Sequence, residues 1–337
     1  MSGKRITFAG SILVDSVKTI ETWPEQGMLA PITSLRRSVG GSVCNTGIDL
    51  KTLDPSVEVA ALGKVGTDDN GGYAVDFMAS KGIDCSAVGR ADGVPTTFTD
   101  VMTVTGTGAR TFFNMHGADS RLTPDDVDVG RLGCDIFHLG YLLLLDGLDA
   151  PDAEYGTQAA RLLAKVQAAG IRTSVDIVSE QSARFAPVVR PALRYCDYLV
   201  VNEIEGSLAT GLPCRDAAGR VTDEALLAIG KELLALGVRE KVVLHCPEMS
   251  VCCEAGGATS VVRSLSLPDG WIKGSVGAGD AFCAGMLYSI LAGMPSAEGM
   301  RLASCAAAAN LAAPDSVSGA LPLAGTLELE KRFNRKN

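Results

Sequence analysis

Short apolar, β-branched runs alternate along most of the chain with stretches whose apolar residues recur every three or four positions. The first kind lies at Ile6–Ala9, Val57–Leu62, Asp135–Leu139, Thr173–Ile177, Tyr198–Val201 and Val242–His245, and predicts buried strands. The second kind predicts helices at about Ser42–Leu53, Asn70–Lys81, Asp152–Ala169, Ser182–Arg194, Asp223–Leu236, Ala278–Leu291 and Ser296–Ala313. Strands that take turns with helices imply parallel βαβ units covered on both faces. Right-handed crossovers then bring the strand carboxy ends, and any ligand, to one edge of the sheet.

Two stretches break this alternation. Asp15–Ser38 has no helical period and contains Pro24 and Pro31. Thr96–Met115 is rich in Thr, Val and Phe around Gly106-Thr107-Gly108, which reads as a β-hairpin. Segments at about 12–38 and 96–115 are therefore expected to form a small β-sheet outside the main one. No repeat or low-complexity linker divides the chain, so residues 1–330 read as one α/β domain with a central, mostly parallel sheet. Glu328–Asn337 is charged and reads as a surface helix or a frayed end, with residues 331–337 as a tail.

Composition narrows the classes. A chain of 337 residues with 47% hydrophobic and 20% charged positions can bury a core and is not disordered. Thirty Lys and Arg stand against 39 Asp and Glu, a net charge of −9, which argues against a nucleic-acid partner. The N-terminal residues lack the apolar run of a signal peptide, and the apolar stretch Ala303–Ala313 is about half of what a membrane span needs. The 10 cysteines form no CxxC pair, and Cys44, Cys283 and Cys305 sit among small apolar residues as reduced core residues do. These features lead to the expectation of a soluble cytoplasmic protein with no membrane partner.

Four segments carry chemistry. Gly274-Ser275-Val276-Gly277-Ala278-Gly279-Asp280 leads a glycine turn into an apolar helix. Backbone N–H groups at such a helix start suit a phosphate, and a carboxylate in the first turn can take the proton of an attacking hydroxyl. The same residues also serve a purely structural turn, with Asp280 complementing the helix dipole. Arg36-Arg37-Ser38-Val39-Gly40-Gly41-Ser42 likewise enters a helix, with Asn45 one turn in; the alternative is a helix start capped by Ser42. Gly63-Lys64-Val65-Gly66-Thr67-Asp68 follows a predicted strand and reads as a structural turn with an N-cap. Asn202 and Glu205, three apart past a buried strand, either hold the water shell of Mg²⁺ or begin a helix. No GxGxxG follows the first strand, which disfavours a dinucleotide-binding dehydrogenase. His138, inside an apolar strand, reads as a core histidine; His116, after the hairpin, is a candidate substrate contact.

Taken in order over nearly the whole chain, these segments resemble the ribokinase-like (PfkB-type) carbohydrate kinases. Gly40-Gly41 with Asn45 is similar to the family's first signature; Gly66, Asp68 and Gly71 to its GxD-type turn; Asn202–Glu205 to its NxxE element; Gly277-Ala278-Gly279-Asp280 to its second signature. The resemblance implies a helix-flanked sheet with a β lid over a sugar, and an ATP- and Mg²⁺-dependent transfer to a hydroxyl. In that scheme Asp280 is the general base, and the backbone of Gly277, Ala278 and Gly279 is the anion hole. Asp15, Gly41 and Asn45 bind the acceptor; Arg110, in the lid hairpin, either reaches the substrate or a phosphate or is an exposed strand arginine. Asn202, Glu205, His245, Ser275, Gly277, Gly279 and Asn310 serve the nucleotide, with Asn202 and Glu205 reaching Mg²⁺ through water. A homodimer through the lid is also implied.

Three departures stand out. Gly274 occupies the place of an acidic residue that in many relatives helps hold a monovalent cation, so potassium activation is left open. Asp176-Ile177-Val178-Ser179-Glu180 replaces an Asp-Pro-Asn run, and His245-Cys246-Pro247-Glu248-Met249 replaces a glycine-rich turn. A sugar acceptor is expected ahead of a nucleoside, and a non-catalytic nucleotide- or sugar-binding sensor is the alternative from another class.

Overall fold

The computed structural model describes residues 4–107 and 109–336. The chain begins with β1 (Arg5–Gly10), β2 (Leu13–Ile20), β3 (Ile32–Gly40), α1 (Ser42–Leu53), β4 (Glu58–Gly66), α2 (Asp69–Ser80), β5 (Asp84–Ala91), β6 (Phe98–Val104) and β7 (Arg110–Met115). It continues with β8 (Ile136–Leu142), α3 (Asp146–Asp149), the short strands β9 (Pro151–Asp152) and β10 (Gly156–Thr157), α4 (Gln158–Ala168), β11 (Arg172–Ile177), α5 (Phe185–Leu193), β12 (Tyr198–Asn202) and α6 (Glu203–Thr210). It ends with α7 (Asp223–Ala235), β13 (Lys241–His245), β14 (Met249–Glu254), β15 (Thr259–Arg263), α8 (Ala278–Ala292), α9 (Ser296–Asn310) and α10 (Leu323–Arg332).

The main sheet has nine strands in the order β15-β14-β13-β12-β11-β8-β1-β4-β5. From β13 to β5 every pairing is parallel, while β14 and β15 form an antiparallel edge. Alternation along the strands splits the core in two. Phe137 and Leu139 of β8 face one cluster with α4, α5, α6 and α7. Ile136 of β8 and Phe8 of β1 face the other, with α1, α2, α8 and α9. The strand order reverses at β1, because the chain builds outward to β5 on one side and from β8 to β13 on the other. A crevice at the carboxy ends of β1 and β8 follows from that reversal. Gly10 and Gly140 pair there, and a Cβ on Gly10 would fall 2.0 Å from the Gly140 carbonyl oxygen.

The segments outside the alternation form a separate four-stranded sheet, β3-β2-β6-β7. Strands β2 and β6 pair in parallel, each with an antiparallel outer neighbour. Of the expected hairpin turn, Gly108 lies outside the described residues. Asp68 ties this sheet to the main one: it caps α2 by accepting from Gly71 N–H and also accepts from the N–H and hydroxyl of Thr96.

Several boundaries differ from the sequence pattern. The helix expected from Asp152 starts at Gln158, because Asp152 accepts from the N–H groups of Glu154 and Tyr155 in a turn and Thr157 caps the helix. The α1 cap is Gly41 at φ 87, not Ser42, whose hydroxyl lies 3.3 Å from His138 Nε2. The final helix starts at Leu323, and residues 334–336 after it are held beside the sheet edge: the Asn334 carbonyl accepts from Ser266 N–H and Lys336 N–H donates to the Ser264 carbonyl. All 10 cysteines are free, eight of them buried. No described helix is long and apolar enough to cross a membrane.

Candidate active site

Asp280 stands in the first turn of α8, buried at the carboxy edge of the main sheet. The turn before it is built by glycine. Gly277 is the N-cap at φ 80, where an added Cβ would meet Ser316 backbone atoms at 2.6–2.7 Å. Gly277 offers no side-chain cap; of the first-turn N–H groups of α8, that of Ala278 donates to the Ser275 carbonyl at a long 3.4 Å, and the others are left to a ligand.

Three donors hold the Asp280 carboxylate. Asn45 Nδ2 donates to Oδ2 at 3.0 Å, Thr46 Oγ1 to Oδ1 at 3.2 Å, and Tyr141 Oη to Oδ1 at 2.5 Å. Burial raises the Asp280 pKa, and the hydrogen bonds from Tyr141, Asn45 and Thr46 work against that rise. Asp176 ends β11 nearby; burial, with the charges of Asp280 and Glu205, pushes it well above the usual carboxylate range. Asn45 Oδ1 is buried with no partner among the described residues.

On one side of Asp280 lies a cavity of about 470 Å³. Its walls are mostly apolar, with Leu265, Leu267, Phe282 and Leu311, and its polar rim includes His245, Ser275, Gly279 and Lys336. The size and lining suit a flat heterocycle with a polar tail. A Cβ on Gly279 would point at His245, 3.6 Å from Cε1. Burial pushes His245 down to about 4, so the ring is neutral at pH 7 and adds no positive charge. Glu248, in the same turn, faces Arg215 at 3.7 Å.

On the other side a smaller pocket lies under the four-stranded sheet, between Asp15, Arg36, Arg110, Phe112 and Val276. Burial raises Asp15 to about 6. Arg36 lies 3.6 Å from Asp315, and Arg110 donates to the Pro314 carbonyl at 3.2 Å. Gly41 must be glycine: besides its φ, a Cβ there would sit 2.4 Å from the Ser11 carbonyl oxygen.

Asn202 and Glu205 form a closed capping box at the start of α6. Asn202 Oδ1 accepts from the N–H groups of Ile204 and Glu205, and Glu205 accepts from Asn202 N–H at 2.9 Å and Ser179 Oγ at 2.7 Å. Burial lifts Glu205 to about 7.

The structure thus gathers Asp280, Asn45, Gly277, Ala278 and Gly279 at one centre, with Ser275 and His245 on the larger cavity and Asp15 and Arg110 on the smaller. Asn310 is set apart from both. It is fully buried and donates to the Ser316 carbonyl at 2.6 Å, so it braces the loop packed on Gly277 rather than lining the cavity. His116 pairs with Asp146 at 3.2 Å. His138 lies between the Ser42 and Ser174 hydroxyls, and burial drives it to about 3, as befits a neutral core histidine. Sequence reading did not single out Tyr141 or Thr46 as site residues. Tyr141 follows Gly140 at a strand's carboxy end, and that placement is the one signal that marks it.

A buried carboxylate at a glycine-built helix start, between a nucleotide-sized cavity and a small pocket edged by Asp15, Arg36 and Arg110, suits phosphoryl transfer to a hydroxyl acceptor. Residues 4–322 match the family described as pfkB family carbohydrate kinase, and the chain belongs to that family. A 5-dehydro-2-deoxygluconokinase of Clostridium perfringens is 26% identical over 320 residues, spanning 91% of this chain and 87% of that protein. An ATP-dependent ribose-1-phosphate kinase of Halopiger xanaduensis is 30% identical over 136 residues, 40% of this chain and 45% of that one. The ribokinase of Arabidopsis thaliana, solved with ribose and ATP, shares the fold at a TM-score of 0.79 and 21% identity, covering 98% of this chain and 99% of its own.

Proposed function

We propose that this chain transfers the γ-phosphoryl group of ATP to a hydroxyl of a small sugar or sugar-like acceptor. One observation carries the reading: the Asp280 carboxylate lies at a helix start with no side-chain cap, with a nucleotide-sized cavity on one side and a small pocket edged by Asp15, Arg36 and Arg110 on the other. In this reading ATP occupies the larger cavity, its base against Leu265 and Phe282 and its phosphates at the N–H groups of Gly277, Ala278 and Gly279. Those fixed donors stabilise charge on the transferring group. The acceptor lies under the four-stranded sheet, held by Asp15, Gly41 and Asn45. Asp280 takes the hydroxyl proton as that oxygen bonds to the γ-phosphorus; the bond to the β-phosphate oxygen breaks and ADP leaves. The sheet above keeps out water, which otherwise competes as acceptor.

Mg²⁺ would neutralise phosphate charge. The donor set near Glu205 fits it through water. Each Glu205 oxygen accepts one hydrogen bond and keeps a lone pair for a metal-bound water, whereas Asn202 Oδ1 already accepts two, so Glu205 would carry that contact. The name of the Clostridium perfringens relative supports a sugar-acid acceptor, and Arg36 and Arg110 beside the pocket suit a carboxylate. A lid-to-lid homodimer in the cytoplasm fits the exposed Leu35 and Phe113 on the outer sheet; sedimentation of a Leu35→Lys variant tests it.

The decisive assay follows ADP release from Mg-ATP with a panel of neutral sugars, sugar acids, polyols and nucleosides. Turnover on a sugar or sugar acid that falls at least about a hundredfold in Asp280→Asn supports the reading. Turnover restricted to nucleosides replaces the acceptor class. Equal turnover in both proteins removes Asp280 as base.

A further inference from the structure

A carboxylate offers about four lone-pair directions. At Asp280 three are taken, two on Oδ1 by Thr46 and Tyr141 and one on Oδ2 by Asn45. One direction remains, on Oδ2. Asn45 and Thr46 are neighbours near the start of α1, whereas Tyr141 comes from the end of β8. Donors from one helix alone leave a carboxylate free to swing about them; a third from a separate element fixes its plane. A buried phenol also needs a partner, and Asp280 is the acceptor of the Tyr141 hydroxyl.

We propose that Tyr141 is a positioning residue for phosphoryl transfer: its hydroxyl pins Oδ1 of Asp280 and leaves Oδ2 as the oxygen that receives the acceptor's proton. The assignment rests on Asp280 being the base.

The surroundings explain why such a donor is needed. The titratable groups that bear on Asp280 are Asp176 on β11, Cys44 and Asp49 on α1, Cys283 on α8 and Tyr141 itself. None of these is cationic. Hydrogen bonds are therefore what favours the charged carboxylate against burial, and the Tyr141 bond is the first of them. Burial and the Asp280 charge push the ionisation of Tyr141 well up, so it remains a donor across the working pH range.

The test is a carboxyl NMR titration of the whole protein carrying ¹³C-labelled aspartate, with no ligand added, using Asp280→Asn to assign the Asp280 signal. Tyr141→Phe keeps the ring and removes the donor. The Asp280 midpoint is expected to rise by about one pH unit, since a hydrogen bond to a charged group stabilises that form. With 3-fluorotyrosine in place of Tyr141, a stronger donor, the midpoint moves down. This second protein decides the matter if the Phe variant does not fold. A midpoint that stays unchanged in either folded protein, or that falls in Tyr141→Phe or rises with 3-fluorotyrosine, overturns the proposal. Failure of the base reading is seen separately: Asp280→Asn would then keep its turnover whatever Tyr141 does.

Discussion

Two helices start at the same edge of the main sheet with an acidic residue in the first turn, yet their beginnings are opposites. At α6, Asn202 and Glu205 close a capping box and occupy the first-turn N–H groups with their own side chains. At α8 the cap is Gly277, no side chain takes the first-turn N–H groups, and Asp280 turns to Asn45, Thr46 and Tyr141 instead. A sequence pattern of a short loop followed by a helical acid fits both. What separates them is whether the acid is satisfied within its own helix. A closed start stabilises the fold, and an open one is kept for an anion.

The largest effect expected comes from closing the open start. Gly277→Val forces a branched residue into the left-handed region and against Ser316 backbone. It should cost about 2–4 kcal/mol in chemical denaturation and abolish measurable ADP release. Next is Gly279→Ala, whose Cβ meets His245 at an ordinary contact distance of 3.6 Å. That variant should fold normally and raise the KM for ATP roughly tenfold by narrowing the approach to the N–H groups, with kcat changed less.

Smaller effects belong to the closed start. Glu205→Gln keeps the capping box, because glutamine also serves at that position. The native state holds a proton on Glu205 up to about 7, whereas an unfolded chain releases it near the ordinary value of 4.5. Stability from this group is therefore lost as pH rises from about 4.5 through 7. Glu205→Gln should melt a few degrees higher than the parent at pH 8, with the difference vanishing below about pH 4. Smallest is the pH response of Asp15, raised to about 6. As a hydrogen-bond acceptor it works ionised, so the acceptor KM should rise a few-fold as pH falls from 7 to 5.5. Asp15→Asn should flatten that dependence.

Much of this arrangement was legible in the sequence because it depends on local pattern. The six buried parallel strands show as apolar runs, and the glycine turn before Asp280 announces an exposed backbone. The antiparallel edge was not visible: β14 and β15 are short and joined through a Gly256-Gly257 turn with no preceding period. The strand β5 has no buried residue, only a mixture of partly exposed and exposed ones, so no apolar face marks it in the sequence. Tyr141 reads as one more residue in Leu139-Gly140-Tyr141-Leu142, and only the strand reversal at β1 brings it to a helix 139 positions away. Asn202 and Glu205 allowed both readings from sequence. The hydrogen bonds around them give the capping role, and their service to a metal waits on experiment.

The most direct test sets the two first-turn acids against each other, with turnover measured at saturating Mg-ATP on the acceptor that the panel yields. Asp280→Asn should lose at least about a hundredfold in kcat while still binding ATP, and Glu205→Gln should stay within about tenfold of the parent. The reverse ranking would contradict the account, because it would place the chemistry at the closed helix start rather than the open one.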